Sequence, residues 1–340
     1  MTSVGRRPGR VRAPIALALA AMAVASVALA GCDKESVTPT ASGAVAYAAI
    51  GANIPNPGQT VAVVSTSTGT TGRPVTVGTL PSGLALVPGD KDLLVTVKAQ
   101  DQLVEVATST GKIVKRIDVG LEPDAVAVTP DGKTALVANF GDNTVTEVAL
   151  PGLTAVRTVP VGRQPVAVAV TPDGSQALVV GFQDGNLTPV ALPSFTPGAP
   201  VPVGAGPVAV FVPRSGTEAL VADFQTSSVT PVTLPALTPR TPIPLGANPT
   251  GIDSSPGSPV AWVSAGFGVT PLSLPGGTVG TPIPLGVASQ CIAVTRDDRA
   301  WVCSGSGALV EVDLTSGKTV RTVGLDGIPA AVVVSGTAAA

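Results

Sequence analysis

Thr129-Pro130-Asp131-Gly132-Lys133-Thr134-Ala135-Leu136-Val137-Ala138-Asn139 returns 42 residues later as Thr171-Pro172-Asp173-Gly174-Ser175-Gln176-Ala177-Leu178-Val179. Each copy follows a Val-Gly pair and an alternating apolar run: Val119-Gly120 leads to Ala125–Thr129, and Val161-Gly162 leads to Val166–Val170. The same glycine recurs as Gly78, Gly120, Gly162, Gly204, Gly246, Gly286 and Gly324, at spacings of 42, 42, 42, 42, 40 and 38 residues. Period-2 alternation bounded by Gly and Pro predicts strands. A period near 40 residues predicts one four-stranded sheet per repeat, arranged radially.

The unit from Gly120 to Val161 shows how a repeat is built. Strands are expected at Ala125–Thr129, Ala135–Asn139, Thr144–Leu150 and Ala155–Val161. Turns at Pro130-Asp131-Gly132-Lys133, Gly141-Asp142-Asn143 and Pro151-Gly152 separate them. The ends of the repeat region complete each other. Residues 44–77 supply three strands but no leading one (Val45–Ala49, Thr60–Ser65 and Pro74–Val77), whereas Pro329–Val334 is a leading strand without successors. Joined, they make a seventh blade. The expected fold is therefore all-β: a seven-bladed β-propeller of four-stranded blades over residues 44–336, its first blade closed by the C-terminal strand, with 337–340 as a tail. Closure removes the open sheet edges that invite aggregation.

The pattern resembles the YVTN-type β-propeller repeat family of bacterial envelope and surface proteins. Thr129-Pro130-Asp131-Gly132 with Ala135-Leu136-Val137-Ala138-Asn139 carries the resemblance, and Tyr47-Ala48-Ala49 is a weaker cognate. It covers roughly residues 44–336 and implies a lactonase-like seven-bladed scaffold. It implies nothing about chemistry, since propellers host many functions.

Ahead of the repeats, Arg6, Arg7, Arg10 and Arg12 precede an apolar stretch from Ile15 to Ala30, followed by Leu29-Ala30-Gly31-Cys32. These residues resemble a bacterial lipobox. The resemblance implies a signal peptide over 1–31, cleavage after Gly31 and lipidation of Cys32. A stretch of 16 residues is short for a bilayer-spanning helix, which needs about 20. Residues 32–43 are polar and Ser/Thr-rich, as a flexible tether would be. The expected address is outside the cytoplasm, lipid-anchored on the outer face of the cell membrane or in the periplasm.

Composition narrows the function. The chain of 340 residues has a net charge of −2, and a chain beginning at Cys32 carries 16 basic against 22 acidic groups. That balance argues against nucleic acid, whose binding needs clustered Lys and Arg. No histidine is present. Imidazole is thereby excluded as metal ligand, general base or member of a nucleophilic triad. Among the expected channel-lining strands and the residues leading into them, only Asp124 and Asp253 are acidic, and they fall on different blades. A calcium site needs several converging carboxylates. No cofactor is expected.

Two cysteines remain. Register places Cys291 on a first strand opposite Cys303 on the second, within disulfide reach. Outside the cytoplasm the pair is expected to oxidise, the alternative being two buried thiols.

Phe140, Phe182 and Phe224 recur every 42 residues, and Phe267 falls one residue late. They occupy the turns between second and third strands, on the face where propellers usually bind ligands. One reading is an aromatic arc rimmed by Asp142 and Asp184, suited to a protein, peptide or glycan. The other, which internal repetition favours, is a set of wedges between blades. Alternate prolines in Ala199-Pro200-Val201-Pro202-Val203, Thr241-Pro242-Ile243-Pro244-Leu245 and Thr281-Pro282-Ile283-Pro284-Leu285 suit outer edge strands, because proline donates no hydrogen bond to a ladder. The expected function is a non-catalytic, membrane-tethered binding or interaction scaffold. The alternatives are a lactonase-like hydrolase using carboxylates and a structural surface-layer element.

Overall fold

The alternating run after Gly120 forms the innermost strand of a sheet, Pro123–Val128, paired in turn with Thr134–Asn139, Thr144–Ala149 and Thr154–Pro160. This is blade 3 of the computed structural model, which describes residues 43–52, 57–275 and 277–336. The expected signal peptide, Cys32, nearly all of the expected tether and the last four residues lie outside the described residues.

Six further sheets repeat the plan. Blade 2 comprises Pro81–Leu86, Asp92–Val97, Gln102–Ala107 and Lys112–Asp118. Blades 4, 5, 6 and 7 begin at Pro165–Val170, Pro207–Phe211, Pro249–Asp253 and Ser289–Val294. Blade 1 is the composite: Ile328–Val334 lies innermost, beside Val45–Ala52, Pro57–Ser65 and Val75–Thr76. Tyr47 stands opposite both Val63 and Val333, so the C-terminal strand joins the N-terminal one in a continuous ladder. The innermost strands touch in a cycle that returns from Ile328–Val334 to Pro81–Leu86, closing the ring.

The apolar alternation buries its side chains between blades rather than at one centre. Seven hydrophobic clusters lie at the seven junctions; Leu94, Leu103, Val126, Ala135 and Val137, for example, pack blade 2 against blade 3. The lower face carries the turns from first to second and from third to fourth strand. There the Thr-Pro-Asp-Gly phrase closes on itself: Thr129 Oγ1 donates to Asp131 Oδ1 at 2.6 Å and accepts the Thr134 N–H at 3.1 Å. This bond and the Lys133 N–H hold the Asp131 carboxyl below its ordinary range.

The repeated glycine answers two different demands. In blades 3 and 5 it makes room: a Cβ on Gly120 would meet Asn139 Cγ at 2.4 Å, and one on Gly204 would meet Asp223 Cγ at 2.4 Å. Gly246 and Gly286 have open space but φ of +75° and +70°, the left-handed region that side chains disfavour.

The proline-bearing fourth strands are outermost, as expected, yet they are not continuous. Blade 4 pairs only Thr196–Pro197 and Val201–Pro202 at its edge, and blade 5 only Thr238–Pro239 and Ile243–Pro244. Blade 6 retains Ile283–Pro284 and an isolated bridge between Leu272 and Val279.

Candidate functional site

In blades 2 to 7 the link entering the blade meets the turn between second and third strands on the upper face, and the two are stitched together by hydrogen bonds. The Phe140 N–H donates to Glu122 O at 3.1 Å, the Phe182 N–H to Gln164 O at 3.0 Å and the Phe224 N–H to Gly206 O at 3.0 Å. The backbone of each phenylalanine thus grips the link entering its own blade. Their rings are half-buried, and Phe267 is 69% exposed. None of the four belongs to the seven clusters between blades. Other aromatics do fill junctions: Phe195 is buried with Leu136 and Val145 in the seam of blades 3 and 4, Tyr47 in that of blades 1 and 2, and Trp301 in that of blades 7 and 1.

Asp142 and Asp184 lie in the same turns and face the links. Asp142 Oδ2 accepts the Leu121 N–H at 3.1 Å, and Oδ1 accepts the Thr144 hydroxyl at 2.7 Å. Asp184 Oδ2 accepts the Arg163 N–H at 2.8 Å while Oδ1 pairs with Arg163 Nε at 2.5 Å. These contacts, the backbone N–H first, hold the Asp184 carboxyl below its usual value. Both aspartates therefore fasten the face as well as colour its charge.

The two channel carboxylates stay apart. Asp124, at the upper mouth, pairs with Lys98 Nζ at 3.0 Å, and that ammonium also sits 4.9 Å from the centre of the Phe140 ring. Asp253 lies at the lower mouth. There Leu86, Asp253, Val294 and Val333, from the innermost strands of four successive blades, line a recess of about 220 Å³. Its Oδ1 accepts the Ser254 N–H at 2.9 Å and its Oδ2 the Val294 N–H at 2.7 Å. Burial pushes this carboxyl up to about 7 despite both bonds.

Cys291 and Cys303 are directly opposed in blade 7, with Cα atoms 4.9 Å apart, and a disulfide joins them. Cys303 packs with Ala46, Val332 and Val334 of blade 1, so the bridge stands beside the junction where the ring closes.

Sequence reading did not find the buried polar latches. Asn139 Nδ2 donates to Thr144 Oγ1 and Thr146 Oγ1, both at 2.9 Å, and its Oδ1 accepts the Gly120 N–H at 3.2 Å. Asp223 takes the same place in blade 5, accepting the Thr230 hydroxyl at 2.5 Å, and burial raises its carboxyl to about 6. The signal for them was polar residues at the ends of apolar second strands, each 19 residues after a link glycine.

No family model and no curated protein matches the chain. Solved structures do. A functionally unknown protein from Desulfotomaculum acetoxidans superposes with a TM-score of 0.76 at 16% identity, covering 86% of this chain and 99% of its own. A "putative 6-phosphogluconolactonase" from Bacteroides uniformis gives 0.71 at 17% identity, covering 86% and 99%. Kuenenia stuttgartiensis hydrazine synthase gives 0.65 at 18% identity, covering 79% and 90%. At these identities the likeness is one of fold, which serves unrelated chemistries.

Proposed function

We propose that this chain is a non-catalytic binding scaffold, held at a membrane surface by lipid on Cys32 and presenting its upper face to a partner. The observation that carries the reading is the polarity of the ring. Val45 begins a second strand, and second strands run from the lower face to the upper. A tether from Cys32 to Gly43 therefore joins the lower face, opposite the turns of Phe140, Phe182, Phe224 and Phe267. Upper-face carboxylates engaged by backbone amides and by Lys98 or Arg163 suit a shaped surface better than a reacting centre.

Labelling of growing cells with radioactive palmitate, followed by fractionation, tests the anchor. The parent chain should carry label in the membrane fraction, and Cys32→Ser should lose the label and leave that fraction. Label retained by Cys32→Ser would refute the anchor.

One observation favours a second reading, a lactonase-like hydrolase. Two structural neighbours, both from Bacteroides, bear the name "putative 6-phosphogluconolactonase". Asp253 combines a recess with a carboxyl near 7, the range of a general base. Turnover of a sugar-phosphate lactone, lost in Asp253→Asn, would establish that reading over the scaffold.

A further inference from the structure

We infer that the upper face of blades 2 to 6 docks a lysine- and arginine-rich segment of a partner protein. This rests on the reading of that face as a binding surface and supplies the chemistry of what it binds. The surface exposes apolar side chains among polar ones such as Gln100, Gln183 and Gln225. Phe267 is 69% exposed, Leu121 44% and Leu80 37%. Phe140, Phe182 and Phe224 continue the arc without belonging to any packed junction.

Charge selects the occupant. Asp101, Asp118 and Asp142, at the upper ends of blades 2 and 3, accept hydrogen bonds from uncharged donors. These are the Glu122 N–H at 2.8 Å, Gln102 Nε2 at 3.1 Å, and the Leu121 N–H with the Thr144 hydroxyl. Among the described residues no cation pairs with them. The cations on this face are already matched: Lys98 to Asp124 and Arg163 to Asp184. Arg116, lower on the rim, donates to Val77 O. The surplus is negative, and it repels acidic partners and anionic lipid alike.

The molecule holds two of its own cations between a carboxylate and a ring. Arg157, away from this face, lies 2.5 Å from Glu147 and 5.3 Å from the centre of the Phe195 ring, and Lys98 lies on this face. The Lys98 ammonium is clasped between a carboxylate at 3.0 Å and an aromatic ring at 4.9 Å. A guest lysine or arginine would meet the exposed Phe267 ring and, on blades 2 and 3, the carboxylates of Asp101, Asp118 and Asp142.

Fluorescence anisotropy of a labelled oligolysine, titrated with the full-length chain in detergent, tests the inference against oligoglutamate and a neutral oligosaccharide. Oligolysine should bind tightest, and more weakly as salt rises. Phe267→Ala and Asp118→Asn, both at exposed positions, should each weaken binding about threefold. Asp131→Asn on the lower face should not, with melting curves confirming that all three fold. Equal binding of oligolysine and oligoglutamate would overturn the proposal. So would an equal loss in Asp131→Asn, which would reduce the effect to the charge of the whole chain. Binding of oligosaccharide instead, lost in Phe267→Ala, would sink the cationic partner while leaving the surface. Oligolysine binding by a Cys32→Ser chain that carries no lipid would separate docking from anchoring.

Discussion

Blades 3 and 4 are neighbours with nearly the same sequence pattern, yet their outer edges differ completely. Blade 3 ends in a continuous seven-residue strand, Thr154–Pro160, whereas the edge of blade 4 is two short pairings separated by a bend. One residue of the third strand contributes to it. Glu147 in blade 3 corresponds to Pro189 in blade 4, and both pair with a leucine of the second strand, Leu136 or Leu178. In a strand, a residue's N–H and C=O point to the same neighbour. Pro189 O accepts the Gly198 N–H from the outer segment at 2.8 Å, so the donor that proline lacks belongs to that side. The inner ladder is untouched and the outer one breaks.

The division runs round the ring. Blades 2, 3 and 7 have Glu105, Glu147 and Glu311 at this position, each at a bulge and opposite Lys115, Arg157 or Arg321. Blades 4, 5 and 6 have Pro189, Pro231 and Pro271, whose carbonyls take the N–H of Gly198, Arg240 and Gly280. On these six blades part of the rim is defended by charge on full strands and part by strands too broken to pair. Blade 1 is broken as well, with Val63 rather than proline accepting the Gly72 N–H at 2.7 Å and only Val75–Thr76 and a Val64–Thr71 bridge at its edge. Two solutions to one exposure problem coexist in one molecule.

The largest effect that would test this contrast is at Glu311, which is 2% exposed and pairs with Arg299 at 3.0 Å and Arg321 at 2.6 Å. Glu311→Ala strands Arg321 without its carboxylate and leaves Arg299 only Asp297 at 3.5 Å. Denaturant unfolding should show a loss of about 3–5 kcal/mol. Glu147→Pro converts blade 3 to the type of blade 4. It removes the ion pair with Arg157 at 2.5 Å and one ladder donor, and should cost about 2–3 kcal/mol. Hydrogen exchange should then accelerate along 154–160 but not along 134–139; equal acceleration of both would show that the outer strand does not depend on this residue.

A smaller effect lies at the upper latches, where blade 3 has Asn139 and blade 5 has Asp223. Burial lifts the Asp223 carboxyl to about 6, while in the unfolded chain it keeps its ordinary value near 4. Between those values the folded chain holds the proton and the unfolded chain does not, so stability falls as pH rises through the window. Asp223→Asn should therefore raise stability by about 1–3 kcal/mol at pH 8, with the gain vanishing toward pH 4. Melting at several pH values checks it, and a gain independent of pH would assign the effect to packing.

Most of the ring was legible because it is repeated. The glycine period set the number of blades, and the unmatched strands at the two ends identified the composite one. Register arithmetic from Ala167 and Val180 brought Cys291 opposite Cys303, as the ladder has it. The rim was read only in part: Pro200 and Pro202 are conspicuous as a pair, whereas Pro189 stands alone in an otherwise apolar strand and only its pairing partner reveals its effect. The upper-face turns were harder. Sequence placed Phe140, Phe182 and Phe224 on one face but could not say whether their rings pack inward, since that depends on the tilt of each blade against the next. Nor could it show that Asp142 and Asp184 reach backward to link amides 21 residues away.

The composite blade also imposes an order on biosynthesis. Its strands Val45–Ala52 and Pro57–Ser65 are among the first of the ring to be made, but their inner partner, Ile328–Val334, is among the last. Until it arrives, the opening sheet waits with one flank bare while six sheets form behind it. A nascent chain paused anywhere in that interval exposes a sticky strand, and it is there that a chaperone has most to guard.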